Sequence, residues 1–254
     1  ACGAVCLEAR PHPDFAGPGW WHDLDILLDE AGKKGMKVWI LDDAHFPTGF
    51  AAGAVDNADI SLRKEYLRFS QTDICGPKGE VELDVDKLIH PFELPTFSIF
   101  NQREAKKFHD NRLFHLVAWR VGLENTMTDW IDLTGQVKNG KLYWTVPEGY
   151  WRIFALYLTH DGGGREDYIN MLDDASCALQ IQAVYEPHYA HYKDLFGNVI
   201  AGFFSDEPCI GNAVGYDFDE RVGHKDMPLP WSRYMPDMLR ERLGDNWKNL
   251  LPIL

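Results

Sequence analysis

The sequence predicts an α/β protein: part of a (β/α)8 TIM-type barrel carrying an inserted antiparallel β-domain. Three observations predict this. Residues 199–208, Val-Ile-Ala-Gly-Phe-Phe-Ser-Asp-Glu-Pro, are an apolar run of strand length that stops at two carboxylates and a proline. Lys37-Val38-Trp39-Ile40-Leu41 repeats the pattern and stops at Asp42-Asp43. Between them, residues 76–165 change character and alternate strand formers with turn signals.

The elements follow in order. Ala4-Val5-Cys6-Leu7 is a first strand, followed by Glu8, Arg10, Pro11, His12 and Pro13. Pro18 and Gly19 open a helix over about 20–34, where Trp20, Leu24, Leu27, Leu28 and Ala31 recur at helical spacing. Trp20 and Trp21 are read as packing residues, and Gly35 suits the helix end. The strand at 37–41 completes a β-α-β unit, and a short amphipathic helix is expected over 59–71. Strands are expected at 113–121, 130–133, 141–146 and 151–158, with Asn139-Gly140 as a hairpin turn. A helix over 173–195 carries Pro187, which should kink or break it, and presents His188 on an aromatic face as a core histidine. The strand at 199–205 should be buried on both faces, as in a parallel sheet. Pro208 cannot donate to a ladder, so that strand ends there. A last helix runs from Trp231 to Leu243.

This order divides the chain into 1–75 (first β-α-β unit of the barrel), 76–165 (inserted β-domain) and 166–254 (barrel, continued). Three or four of eight strands can be read, so the barrel is expected to be incomplete at both ends. Carboxylates delivered at the carboxyl ends of successive parallel strands are where such barrels keep their chemistry.

Composition narrows the function. The 254 residues are 45% hydrophobic, with no apolar run of membrane-span length. The net charge of -14 repels phosphate and argues against nucleic acid as a partner. Five cysteines without zinc spacing read as buried thiols, favouring a reducing compartment such as the cytoplasm. Paired carboxylates then point to acid/base work, as in glycoside cleavage. Glu207 is the expected general acid, and its partner is either Asp43 or a carboxylate on a strand beyond Leu254. Arg10, His12, Asp42 and His45 are candidate contacts to sugar hydroxyls, and Asp206 orients Glu207 or binds a hydroxyl or ion. A binding module without turnover, holding carbohydrate through the β insert and aromatic residues, is the alternative. A metal-dependent phosphoryl hydrolase is the third reading; it lacks the usual histidine spacing.

The motifs also carry a resemblance. Gly35-Met36-Lys37-Val38-Trp39-Ile40-Leu41-Asp42-Asp43 with Phe46-Pro47-Thr48-Gly49, and Gly202-Phe203-Phe204-Ser205-Asp206-Glu207-Pro208, resemble the strand-and-loop motifs of α-L-rhamnosidase-like glycoside hydrolases of family 106. Asp132-Leu133-Thr134 and Val146-Pro147-Glu148-Gly149-Tyr150-Trp151-Arg152 are similar to its β insert. The resemblance implies a (β/α)8 catalytic domain with an inserted β-domain, an inverting mechanism on a glycoside substrate, and calcium near the active site. Asp42, Asp43, Asp206 and Glu8 are the oxygen ligands it implies, although no sequential calcium loop is present. The chain departs from the family pattern at Asp43, Ala44 and His45, where the family has Glu, Asp and Gly. Glu207-Pro208 also resembles the Asn-Glu-Pro on the fourth strand of many barrel glycosidases, where Glu is the acid/base.

Overall fold

The computed structural model describes residues 2–10, 12–91, 106–161, 166–210 and 228–254. In chain order the elements are β1 (Ala4–Leu7), α1 (Pro18–Lys33), β2 (Lys37–Leu41), β3 (Glu65–Gly76), β4 (Glu80–Asp84), α2 (Val85–Ile89), β5 (Arg112–Val121), β6 (Met127–Asp132), β7 (Val137–Lys138), β8 (Lys141–Thr145) and β9 (Gly149–Thr159). There follow α3 (Asp174–Gln180), a π-helical turn (Ile181–Tyr185), α4 (Glu186–Tyr192), β10 (Ile200–Phe204), β11 (Leu229–Trp231), α5 (Met235–Leu243) and α6 (Trp247–Leu250). The protein is mixed α/β, with one parallel three-stranded sheet, one antiparallel half-barrel sheet and a small antiparallel sheet. No (β/α)8 barrel is present among the described residues, so the predicted fold class holds at the level of α/β.

Two units carry these sheets: Ala1–Lys64 with Asp167–Gly211, and Glu65–Glu166 with Asn212–Leu254. In the first, the sheet order is β1-β2-β10, all parallel. Alternation in β2 decides its faces. Val38 and Ile40 are buried with Ile200, Trp20, Leu24, Leu28, Ala31 and Tyr192, while Trp39 is 42% exposed. Each fully buried Leu or Ile there contributes about 1.5–3 kcal/mol. The opposite face carries Cys6 and Trp39, which pair across β1 and β2, and Phe204 at the end of β10. All three are exposed, so β10 is not buried on both faces as its composition suggested.

The helix expected over 173–195 forms as three pieces. Pro187 has no N–H to give the carbonyl of Ala183, and its ring would crowd that oxygen. The chain answers with the wider turn at Ile181–Tyr185 and restarts as α4 with Pro187 in its first turn. Beyond it His188 is fully buried, as a core histidine should be. The Trp20 indole N–H donates to His188 Nε2 at 2.8 Å, and His188 Nδ1–H donates to the carbonyl of Val184 at 2.6 Å. Burial pushes His188 down to about 4, with His191 adding to the effect and the Val184 bond opposing it. The unfolded chain binds this proton near pH 6.5, so the stabilisation is complete above 6.5 and drains away as pH falls towards 4. The loss amounts to about 3 kcal/mol. Urea unfolding at pH 7 and at pH 4.5 checks it, and His188→Gln should flatten that part of the pH slope.

In the second unit the large sheet has the order β11-β3-β9-β5-β6. Period-two alternation sends Leu116, Ala118, Ile153, Ala155 and Tyr157 to one core with the small sheet (β4-β8-β7) and α2. Val117, Trp119, Phe154, Leu156 and Leu158 go to a second core with Trp231 and Trp247. This sheet is therefore packed on both faces. Asn139 and Gly140 both have positive φ, 51° and 74°, as the tight turn between β7 and β8 requires.

Three expectations change here. The helix read over 59–71 is a short 3-10 turn (Ile60–Leu62) followed by β3, which pairs with β9 over its length. Trp231 lies in β11, beside β3, and the last helices belong with the antiparallel unit. The cysteines are not buried thiols either. Cys2, Cys6 and Cys75 are exposed, and Cys177 and Cys209 are half-buried.

Candidate functional site

Because β1, β2 and β10 run parallel, their carboxyl ends share one edge of the sheet. Glu8, Arg10 and His12 follow β1; Asp42, Asp43 and His45 follow β2; Asp206 and Glu207 follow β10. The structure thus brings the predicted residues to one rim, but it gives them different tasks.

Asp43 is fully buried and accepts five backbone N–H bonds. Ala44 and Ala52 donate to Oδ1 at 2.7 and 2.9 Å. Gly49, Phe50 and Ala51 donate to Oδ2 at 2.9, 2.6 and 3.0 Å. To curl these amides inward, Ala51 and Ala52 adopt left-handed φ of 49° and 51°, a strain of order 1 kcal/mol each that the charge-assisted bonds offset. A general base needs a free lone pair facing water or substrate. Asp43 has none, and the catalytic task expected of it is corrected: it organises the loop at 44–52.

Asp42 is equally enclosed. Thr48 Oγ1 donates to its Oδ1 at 2.5 Å, and Tyr185 Oη and Ser205 Oγ donate to its Oδ2. Gln180 Nε2 donates to its backbone carbonyl at 2.6 Å. Burial first, and the Asp42 carboxylate second, push the Tyr185 phenol up to about 12, so it stays a donor at neutral pH. Asp42 is therefore a buried hub joining β2, β10 and the π-helical turn, not a sugar contact. Thr48 extends the hub: its Oγ1 accepts from the Asp206 N–H at 3.1 Å and its N–H donates to the Asp206 carbonyl at 3.0 Å. Tyr168 Oη donates to the Thr48 carbonyl. A Cβ on Gly49 would lie 2.1 Å from the Tyr168 ring, so only glycine fits at that position.

The groups left open are on the outer strands. Glu207 is exposed, with a left-handed φ of 39°, and Asp206 is half-buried. Glu8 is exposed and accepts from Arg10 Nη2 at 2.5 Å; the Arg10 guanidinium sits 5.2 Å from the Phe46 ring centre. Partial burial, then the charges of Glu8 and of Asp206, push the Cys6 thiol up. His45 is exposed, edge-on to Phe50. His12 faces α1 instead, with Nε2 3.3 Å from Asp23 and Nδ1 accepting from the Asp14 N–H at 3.1 Å. Both its nitrogens are engaged, so it is not available as a hydroxyl contact.

The calcium set implied by the resemblance does not fit. The oxygens of Asp42 and Asp43 face N–H and O–H donors, which occupy the lone pairs a cation would need. Among the described residues no three His, Cys, Asp or Glu side chains are grouped to hold a metal ion. No helix among them is long and apolar enough to cross a membrane. Sequence reading missed Thr48, Tyr168, Gln180, Tyr185 and Ser205, which hold the two aspartates or the loop between them. Thr48 alone carried a local signal, in the Pro47-Thr48-Gly49 turn. No family model matches the chain, and no curated protein matches it at a meaningful level of similarity.

Proposed function

We propose that this rim is the acid/base site of an inverting glycoside hydrolase, with Glu207 as general acid and Glu8, in place of Asp43, as general base. The observation that carries the reading is the pair of exposed carboxylates at the carboxyl ends of β10 and β1, the two strands that flank β2. Two strand spacings span about 10 Å. That is the scale of an inverting pair, about 6.5–9.5 Å, rather than the about 5 Å of a retaining pair. Glu207 gives its proton to the glycosidic oxygen as the bond to the anomeric carbon breaks. Glu8, steered by Arg10, takes a proton from the water that attacks the opposite face. Asp206 and His45 supply hydroxyl contacts beside them. The left-handed backbone at Glu207, φ 39°, supports the reading, because such strain recurs at functional sites.

The sheet also supports the reading as a portion of a (β/α)8 barrel. Cys6, Trp39 and Phe204 stand exposed on the face away from α1, where inward barrel positions would be, and among the described residues β1 and β10 each pair with one strand only, β2. Trp39 also supports a second reading, carbohydrate binding without turnover. Its six-membered ring covers Gly202, where a Cβ would come within 3.1 Å of it, and the rest of the indole is exposed.

The test is a panel of aryl and fluoride glycosides, followed by proton NMR of the first product anomer. Release of the inverted anomer is the expected result. Calorimetric binding of oligosaccharides with no turnover of any glycoside would favour the second reading.

A further inference from the structure

Behind Glu207 lies a side-chain pair that the proposed hydrolysis does not use. Lys64, only 5% exposed, places Nζ 3.6 Å from the Sγ of Cys209 and 5.1 Å from the centre of the Tyr168 ring. Cys209 is half-buried and follows Glu207 by two residues. Its N–H donates to Tyr168 Oη at 3.0 Å, and Tyr168 in turn holds Thr48. The sulfur is partly accessible to peroxide, and the amine lies within reach of it once it is oxidised.

We propose that Lys64 and Cys209 form a peroxide-responsive pair that closes to a sulfur–nitrogen cross-link and fixes the segment bearing Glu207. The chemistry rests on this pair alone; only the consequence for hydrolysis rests on the glycosidase reading. In the first step the Cys209 sulfur attacks one oxygen of hydrogen peroxide. The O–O bond breaks, sulfur is oxidised by two electrons to a sulfenic acid, and the departing hydroxide takes up the thiol proton as water. Lys64 then releases a proton to solvent, and its Nζ lone pair attacks the sulfur. The S–O bond breaks, and the hydroxide leaves as water with a proton from the amine. The sum is thiol plus amine plus peroxide giving sulfenamide and two waters. A dithiol reverses it by attacking the sulfur and returning the amine.

The exposed cysteines are internal controls. Cys6 is the sharpest: it is exposed to peroxide, and partial burial with the charges of Glu8 and Asp206 pushes its thiol up. The experiment treats the whole chain with hydrogen peroxide and follows intact mass and proteolytic peptides. A peptide joining Lys64 to Cys209 is expected, lighter by about 2 Da than the sum of its reduced parts and released by dithiothreitol. Lys64→Met should give no cross-link and should instead trap the sulfenic acid of Cys209 as its dimedone adduct. Absence of the joined peptide from the oxidised wild-type chain, or equal dimedone labelling of wild type and variant, overturns the proposal. Should Lys64→Met fail to fold, the joined peptide from the wild type and its release by dithiothreitol still decide it. These mass readouts stand whether or not the protein hydrolyses a glycoside. A loss of hydrolysis on cross-linking, restored by dithiothreitol, bears only on the link to the glycosidase.

Discussion

Glu207→Gln is expected to lower kcat on glycosides with poor leaving groups by about 10²–10⁴-fold, with little change in KM. The carboxamide keeps the size and exposure of the side chain but has no proton to give to the departing oxygen. Leaving-group chemistry separates this loss from a structural one. A glycosyl fluoride departs with little protonation, so the variant should stay within about tenfold of wild type on that substrate. A uniform fall on both substrates would point to a distorted rim, and unchanged rates on both would remove Glu207 from the reaction. Glu8→Gln supplies the contrasting pattern. A missing base slows the attack of water whatever the leaving group, so both substrates should suffer alike.

Asp43→Ala should be the most destabilising substitution at the rim, by about 4 kcal/mol. It strands five backbone N–H groups inside the protein and leaves the left-handed Ala51 and Ala52 without the bonds that hold them. Asp43→Asn keeps one acceptor oxygen but points an amide at donors, and about 2 kcal/mol should be lost. Asp29→Ala, on the exposed side of α1, should change stability by no more than about 0.5 kcal/mol despite its ion pair with Lys33. Urea midpoints at pH 7 measure all three. A stable, inactive Asp43→Asn would instead restore the role of base to that residue.

The contrast between Asp43 and Glu207 shows where sequence reading succeeded. The ends of β1 and β2 could be placed to the residue because an apolar run met charge abruptly, a local signal. The sharing of one rim followed from parallel order. What each carboxylate does was not local. Asp43 is satisfied by the backbone of Gly49, Phe50, Ala51 and Ala52, and backbone amides leave no trace in side-chain chemistry. Asp42 is satisfied partly by Tyr185, 143 residues away along the chain. The segment 59–71 misled for a related reason. Its apolar residues fit a helical stripe as well as an alternating one, and eleven residue pairs with β9 decided in favour of the strand.

The wider turn at Ile181–Tyr185 has one more consequence. A helix advances by about 100° per residue, so a turn with one residue too many acts as a rotary offset between the pieces on either side of it. Cut out a single residue there and α4 keeps its seat, while everything upstream swings by a quarter-circle or so. Gln180 would then lose its aim at the backbone of Asp42. The proline that interrupts this helix is, in that sense, what sets the clock position of the groups that reach the buried aspartate.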